Sequence, residues 1–325
     1  MASYSLFCLG NPLLDIQVTS DEVLKKYELK ANDAILAEEK HLPIYEDLVK
    51  NHKVTYVAGG ASQNAARGAA SINGILTHPL QYVLPPKSVV YTGCVGKDEL
   101  AEQLKAANKR EGLDEVYQVK EGEKTGACAV VITGHHRSLV TTLRAAEKFD
   151  KSHLSSAAVA PLVEAAKVYY VEGYFLTHGT ETVLELSQKS AAAGKLQQVL
   201  PYCDIIICNE AEAEAYATAN GLPDPKDLPA IAKYIALLPK SNASKPRTVI
   251  FTQGAESTVY VTSTAPDSSK VVAVHALTDA EIVDTNGAGD AFAGGFLGAY
   301  VAGKELDGCV EIGHKLGSMC VQQVR

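Results

Sequence analysis

The chain lacks the marks of several large protein classes. It has no surplus of positive charge: 30 Lys and Arg stand against 38 Asp and Glu in 325 residues, a formal net charge of −8. Non-specific nucleic-acid binding needs a basic surface, so no nucleic-acid partner is expected. A local basic pocket for phosphate stays open. No apolar run approaches the length of a membrane span, and no membrane partner is expected. The opening stretch MASYSLFCLGNPLLD has no basic head and soon turns polar, which speaks against a signal peptide. The seven cysteines are odd in number and no two form C-x-x-C. Most sit in apolar strings such as VVYTGCVG and DIIICNE, so buried free thiols in a reducing cytoplasm are expected, and a cysteine metal site is not.

Familiar catalytic signatures are missing as well. No G-x-x-x-x-G-K-[ST] phosphate loop occurs. Gly287-Ala288-Gly289 is followed by Phe292 where a dinucleotide fingerprint needs glycine. H-E-x-x-H and G-x-S-x-G are absent, and so are internal repeats and low-complexity linkers.

What remains is an ordinary globular composition, 46% hydrophobic and 21% charged. The length fits roughly two units, or one large α/β domain with an insertion. Apolar runs alternate with amphipathic stretches, the rhythm of βαβ units and a largely parallel sheet. Strands are expected at Tyr4–Leu9, Val54–Val57, Ser88–Val95, Lys167–Glu172, Asp204–Cys208, Thr248–Thr252 and Thr258–Thr262. Helices are expected at Ala61–Asn73, Asp98–Arg110, Thr180–Ala193, Glu210–Ala219, from Gly289 to about Tyr300, and at Leu306–Val324. The rhythm breaks between Asp15 and Val57. It breaks again at Ala127–Thr133 and Ser138–Leu143, which read as an antiparallel hairpin about Gly134-His135-His136-Arg137. Both breaks suit an insertion over the sheet. Pro85-Pro86 and Pro223–Pro229 read as surface loops.

The strongest chemical signal is Asp284-Thr285-Asn286-Gly287-Ala288-Gly289-Asp290, before the helical run AFAGGFLGAYVAG. Amide groups at a helix start have no internal partner, and the helix dipole makes them an anion site. Gly287 and Gly289 let an anion come close to the main chain. Asp290 in the first turn could take a proton from an attacking hydroxyl. The plainer alternative is a tight turn with an acidic residue complementing the dipole.

Asn209-Glu210-Ala211-Glu212 follows a buried strand, where α/β sheets open on their ligand crevice. Asn209 can cap the next helix; Glu212 can close a capping box or hold Mg²⁺ through water. Gly59-Gly60-Ala61-Ser62-Gln63-Asn64 allows close backbone approach to a ligand, or is a simple turn. Asn11 and Asp15 follow the first strand, and Asp15 could accept from vicinal sugar hydroxyls or cap a turn. Arg137 could reach a transferred phosphate, or be a solvated loop arginine.

Together these strings resemble the ribokinase (PfkB) family of sugar and nucleoside kinases over nearly the whole chain. DTNGAGD with AFAGGF resembles its C-terminal signature and AGGASQNAARGAA its N-terminal one. The finer likeness is to members that phosphorylate adenosine. It rests on LGNPLLD at 9–15, KYELKANDAILAE at 26–38, TGACAVVITGHHRSLVT at 125–141, EGYFLT at 172–177, NEAEAEAYA at 209–217 and VIFTQG at 249–254.

The resemblance implies a doubly wound, mostly parallel α/β sheet flanked by helices, with a small discontinuous β-rich lid at about 15–58 and 115–143. It implies transfer of the γ-phosphate of ATP to the adenosine 5′-hydroxyl, with Mg²⁺, in a monomer of the cytoplasm; a nuclear pool stays open. Asp290 would be the base, and Gly287, Ala288 and Gly289 the anion hole. Asp15, Gly59, Gly60 and Asn64 would meet the ribose, with Asn11 nearby. Leu14, Leu36, Cys128, Leu139, Leu143 and Phe175 would line the nucleoside pocket, Phe175 stacking on the base. Arg137 would come in with the lid. Asn209, Thr252, Gly254, Asn286 and His314 would lie on the ATP side, and Glu212 near Mg²⁺. Another sugar or nucleoside kinase, or a non-catalytic nucleoside binder, stays open.

Three departures stand out. After SAAAGK at 190–195 the family has a further core strand, whereas here Lys195 runs into LQQVLPYCD. That strand would neighbour the one carrying Asn209, so a gap or re-pairing of the sheet is expected. The family also continues past the position of Arg325. RAAEKF at 144–149 replaces its usual small-residue and Asn pattern.

Overall fold

A computed structural model describes residues 4–31, 33–75, 87–134, 136–187 and 199–323 of the chain. The strands are β1 Leu6–Leu9, β2 Leu13–Thr19, β3 Ala34–Leu36, β4 Thr55–Gly59, β5 Val89–Thr92, β6 Cys94–Gly96, β7 Asp114–Glu115, β8 Gln118–Lys120, β9 Gly126–Thr133, β10 His136–Thr142, β11 Val168–Val171, β12 Ile205–Asn209, β13 Thr248–Thr252, β14 Thr258–Thr262 and β15 Lys270–Val272. The helices are α1 Asp21–Lys26, α2 Ile44–Asn51, α3 Ala61–Ile75, α4 Glu99–Arg110, α5 Ala160–Ala165, α6 Leu176–Ser187, α7 Glu210–Ala219, α8 Leu228–Ala236, α9 Ala288–Val301 and α10 Leu306–Val321. Most expected elements are present within a few residues of their expected ends. The loop at Pro85-Pro86, His135 in the hairpin, and the stretch around Lys195 lie outside the described residues.

The expected strand at Ser88–Val95 is broken at Gly93, where a side chain would strike Gly10 O at 2.5 Å. The stretch from Asp15 to Val57, expected to lack rhythm, holds β2, α1, β3, α2 and the start of β4. These elements are short, and the helices carry one apolar stripe against a small sheet, so the periodic signal is weak.

Strands run β11-β1-β5-β7 in one parallel sheet. A second sheet runs β12-β13-β14-β15, its first pair parallel and the others antiparallel. A third, of five strands, runs β3-β10-β9-β2-β4 and is built from residues 13–59 and 126–142. β7 and β8 pair with β5 and β6, outside that third sheet.

The first two sheets are halves of one layer. Val168 and Tyr170 of β11, and Ile205 and Ile207 of β12, pack on one core with Phe292 and Phe296 of α9. Yet among the described residues β11 pairs only with β1, and β12 only with β13. The gap or re-pairing expected from the departure after Lys195 turns on a stretch outside the described residues. Both edge strands are half-buried or exposed, unlike the fully buried β1 and β5.

α9 is buried on nearly every side from Ala291 to Ala299, so it must approach its neighbours closely. Its glycines allow this: a side chain at Gly294 would lie 2.5 Å from Ala65 O of α3, and one at Gly295 would lie 2.7 Å from Ile312 O of α10. That crossing holds the start of α9 against the start of α3. None of the seven cysteines is in a disulfide, and five of them are buried. Arg144, the first residue of RAAEKF, sits over the Tyr45 ring at 4.8 Å and donates to Thr125 O. Among the described residues no helix is long and apolar enough to cross a membrane.

Candidate active site

The site is assembled where α9, α3 and the β1–β2 turn meet. Gly287 precedes α9 with φ 71 and ψ 4, a left-handed conformation that suits glycine. A side chain at Gly289 would meet nothing within 4 Å, so the helix start faces open space. With Ala288 between them, the three residues present the amide end of a helix to that space. The loop before it is braced: Asn286 N donates to Asp284 Oδ1, and Cys320 Sγ lies 3.4 Å from Asn286 O.

Asp290 stands in the first turn of α9. Its Oδ2 accepts from Asn64 Nδ2 at 2.8 Å, and Asn64 Oδ1 accepts from Arg67. Two residues 226 positions apart are thus brought together. Asn11, Asp15, Gly59 and Gly60 complete this corner. A side chain at Gly59 would strike the Asp15 carboxylate at 2.3 Å, and one at Gly60, where φ is +89, would strike Asn11 O at 2.2 Å. Asn11 is buried, its Oδ1 bonded to His178 Nε2 at 3.0 Å, while its Nδ2 has no protein partner. A buried amide donor of this kind fits a hydroxylated ligand.

The five-stranded sheet presents one face to this corner. Register places Leu36, Thr141, Cys128 and Asp15 in one row across β3, β10, β9 and β2, so their side chains share a face. Leu139 and Arg137 lie on the same face of β10, two and four residues before Thr141. Leu143 follows the strand, its carbonyl beside Gly126. Leu36 is 65% exposed, an apolar side chain left uncovered on this face. Burial and the nearby Asp15 charge push the Cys128 thiol upward.

Leu14 is a correction. It is 1% exposed and packs with Val95, Ala101 and Leu104 on the opposite side of β2. Consecutive strand residues point to opposite faces, so Leu14 and Asp15 cannot both meet one ligand. Leu13 shares the face of Asp15 instead. Phe175 is fully enclosed with Leu9, Val183 and Val199, and its ring meets His178 edge-on at 4.9 Å. It therefore buttresses the imidazole bonded to Asn11, with neither face open to solvent.

Arg137 reaches the glycine loop from the sheet. One of its terminal nitrogens lies 2.6 Å from Asp284 Oδ2, and the two side chains are only 10% and 8% exposed. Asp284 as its partner was not anticipated.

On the other side of α9, Asn209 and Glu212 form a reciprocal capping box, both bonds at 2.8 Å. Thr252 ends β13 and Gly254 turns with φ +56. His314 of α10 bonds Thr258 Oγ1 at 2.7 Å, and Phe251 pairs with Val259, so His314 stands at the mouth of the same hairpin. Burial lowers its basicity. Asn286 lies with the glycine loop, apart from that hairpin.

Acidic groups converge between the two sides. Tyr170 of β11 is held neutral by burial and then by the charges of Asp290, Glu172 and Glu212, among others. Glu172 is 5% exposed, and burial pushes its carboxyl up to about 7. The sequence assigns no role to Glu172, Tyr170 or His178, and Asp284 enters it only as the first residue of the glycine run. For Glu172 a signal existed: one charged residue closing the apolar run VYYV.

A family model of pfkB family carbohydrate kinases matches residues 23–325. The adenosine kinase of Schizophyllum commune is 63% identical, with 100% of this chain and 96% of that protein covered. That comparison spans 343 aligned positions against 325 residues, so at least 18 positions have no residue here. The adenosine kinase of Saccharomyces cerevisiae is 41% identical, covering 98% of this chain and 95% of that protein. Among solved structures, Anopheles gambiae adenosine kinase in complex with P1,P4-di(adenosine-5) tetraphosphate superposes with TM-score 0.87 at 35% identity, covering 98% of this chain and 95% of that one.

Proposed function

The chain belongs to the pfkB family of carbohydrate kinases, and we propose that within it the protein is an adenosine kinase. The observation that carries this reading is the Asn64–Asp290 hydrogen bond. It joins the anion-binding helix start to the corner of Asn11, Asp15 and Gly60, so a nucleoside seated there would turn its 5′-hydroxyl to Asp290. The names of relatives at 63% and 41% identity support adenosine as the acceptor.

In the proposed reaction Asp290 takes the 5′-hydroxyl proton. The freed oxygen bonds to the γ-phosphorus of ATP as the bond to the β,γ-bridging oxygen breaks. ADP leaves, AMP is formed, and the proton passes from Asp290 to solvent. The amides of Gly287, Ala288 and Gly289 stabilise the charge that develops on the phosphoryl oxygens. The five-stranded sheet serves as a lid, its Leu36, Leu139, Leu143 and Cys128 facing the nucleoside and excluding water. Arg137 brings a cation to the glycine loop. Asn209, Thr252, Gly254 and His314 would face ATP.

The family also implies Mg²⁺. Among the described residues no group of three or more His, Cys, Asp or Glu gathers to hold a metal. That fits an ion held chiefly by water and phosphate oxygens, with Glu212 as a carboxylate nearby. When bound, such an ion would neutralise phosphate charge.

The test is Asp290→Asn in an ATP-consumption assay across nucleosides and sugars. Losing a general base lowers turnover by about a hundred- to ten-thousandfold. Adenosine should still stabilise the variant against heat. Turnover near that of the wild type would remove Asp290 from its role. Consumption with ribose but not adenosine would refute the nucleoside reading.

A further inference from the structure

Glu172 lies outside every role described so far. It directly follows β11, is 5% exposed, and its carboxylate is shared by two distant backbone segments. Oε1 accepts from Asn11 N at 2.8 Å, and Oε2 accepts from Ser62 N at 2.7 Å. The first is the turn between β1 and β2, 161 residues away; the second is the first turn of α3, 110 residues away. Both are pressed against it: a side chain at Gly10 would strike Ser62 Oγ at 1.9 Å and the Glu172 carboxyl at 2.9 Å.

Each clasped segment carries a residue of the acceptor corner. Asn11 presents its unpartnered Nδ2, and the turn of α3 carries Asn64, which bonds Asp290. The carboxylate also meets α3 at its amide end, where negative charge is favoured. The two N–H bonds and the Ser62 hydroxyl all favour its charged form.

We propose that Glu172 is a positioning residue for acceptor binding: its carboxylate clasps the Asn11 turn to the start of α3 and so sets the distance between the acceptor-binding amide and Asp290. The proposal rests on the kinase reading above, but not on which acceptor is used. Glu172 touches neither substrate nor phosphate. Its loss acts on the affinity for the acceptor, while the glycine loop and the ATP side keep their own supports.

The clasp is pH-dependent. A protonated carboxyl keeps one good acceptor oxygen and loses the other, so one of the two N–H bonds weakens. Burial is the largest cause of the raised carboxyl, the two N–H bonds oppose it, and the charge of Asp290 adds to it. Tyr91 of β5 and Tyr170 of β11 also face Glu172, both neutral at these pH values. Cys8 of β1 lies behind them and stays a thiol, and His178 of α6 stands beyond Asn11. Glu172 binds its proton more tightly in the folded chain than in the unfolded one. Its contribution to stability is therefore full below about 4.5 and lost as pH rises through about 7. Stability and acceptor affinity thus respond to pH in opposite directions, which a merely structural carboxylate would not produce.

The experiment compares the wild type with Glu172→Gln from pH 5.5 to 9, reading kcat and both KM values by ADP release. The amide keeps the shape but turns a donor toward one N–H. A lost charged hydrogen bond corresponds to about a tenfold rise in the acceptor KM, with kcat and the ATP KM within about twofold. The wild-type acceptor KM should rise as pH falls through about 7, and that of Glu172→Gln should stay flat. An unchanged acceptor KM in the folded variant overturns the proposal, as does a fall in kcat alone. Should Glu172→Gln not fold, calorimetric binding of adenosine to the wild type decides: weaker binding at pH 6 than at pH 8 supports the clasp, and equal binding overturns it. If the wild type ignores adenosine but uses another acceptor, only the nucleoside reading falls, and the same KM comparison with that acceptor decides the clasp.

Discussion

Arg247 carries a stability prediction that the structure makes quantitative. Its side chain is 0% exposed, and its guanidinium donates to five main-chain carbonyls. Leu200 O and Cys203 O lie just before β12, while Ile235, Leu238 and Pro239 supply the carbonyls at the end of α8. No carboxylate is among these five partners, so the arginine acts as a five-armed tie. The tie matters because the outer edge of β12 has no strand beside it among the described residues. This guanidinium anchors the turn that precedes β12.

Replacing Arg247 with Met keeps the apolar stem and removes every donor. Each buried acceptor left unpaired costs about 1–3 kcal/mol. Water reaching some carbonyls, and relief of a buried charge, offset part of the total. A net loss of about 3–5 kcal/mol is expected. At about 2 °C per kcal/mol for a chain of this size, the melting midpoint should fall by about 6–10 °C. Scanning calorimetry of Arg247→Met reads this directly. Lys233→Met is the control: its ion pair with Asp267 has side chains 45% and 83% exposed, and such pairs contribute about 0–1 kcal/mol. A midpoint for Arg247→Met within about 2 °C of the wild type would refute the tie.

Two further contrasts separate packing from substrate contact. Leu14→Ala should lower stability by about 2–4 kcal/mol in urea unfolding and leave the adenosine KM nearly unchanged, since Leu14 faces the core. Leu139→Ala, on the lid face, should do the reverse, with the KM rising several-fold; equal effects from both would undo the face assignment. Arg137→Ala removes the cation beside the glycine loop and leaves Asp284 without it. Its turnover at saturating ATP and adenosine should fall by about a hundredfold or more. A rate within twofold of the wild type would make the Arg137–Asp284 pair purely architectural.

The parts of the site legible in the sequence are those whose chemistry is local. The run from Asp284 to Asp290 carries its turn, its helix start and its carboxylate within seven residues, and they stand together as expected. Asn209 and Glu212 are similar, since a capping box is a pattern of residues three apart. The fold class was legible because alternating apolar runs and helices leave few topologies open. Illegible were the joins between segments. Nothing near Arg137 names Asp284 as its partner, and nothing near Asn64 names Asp290; each pair depends on how sheets and helices dock.

The Leu14 error is of a different kind, because the information was present. Asp15 and Leu14 are adjacent in LGNPLLD, and once that segment is a strand the two must face apart. From the sequence, Asp15 simply follows the first strand, and a residue placed so carries no alternation with its neighbours. Its strand character comes from partners far along the chain, β4 on one side and β9 on the other. The edges of β11 and β12 follow the same logic in reverse. Among the described residues β11 and β12 each have a strand on one side only, yet their side chains lie on the helix layer they share with α9. Side-chain packing and backbone pairing are therefore separable here. The acceptor corner does not depend on that edge: Asp290, Asn64, Asn11 and Asp15 are held by α9, α3, the β1–β2 turn and β2, while Glu172 and Asn209 stand at the ends of β11 and β12.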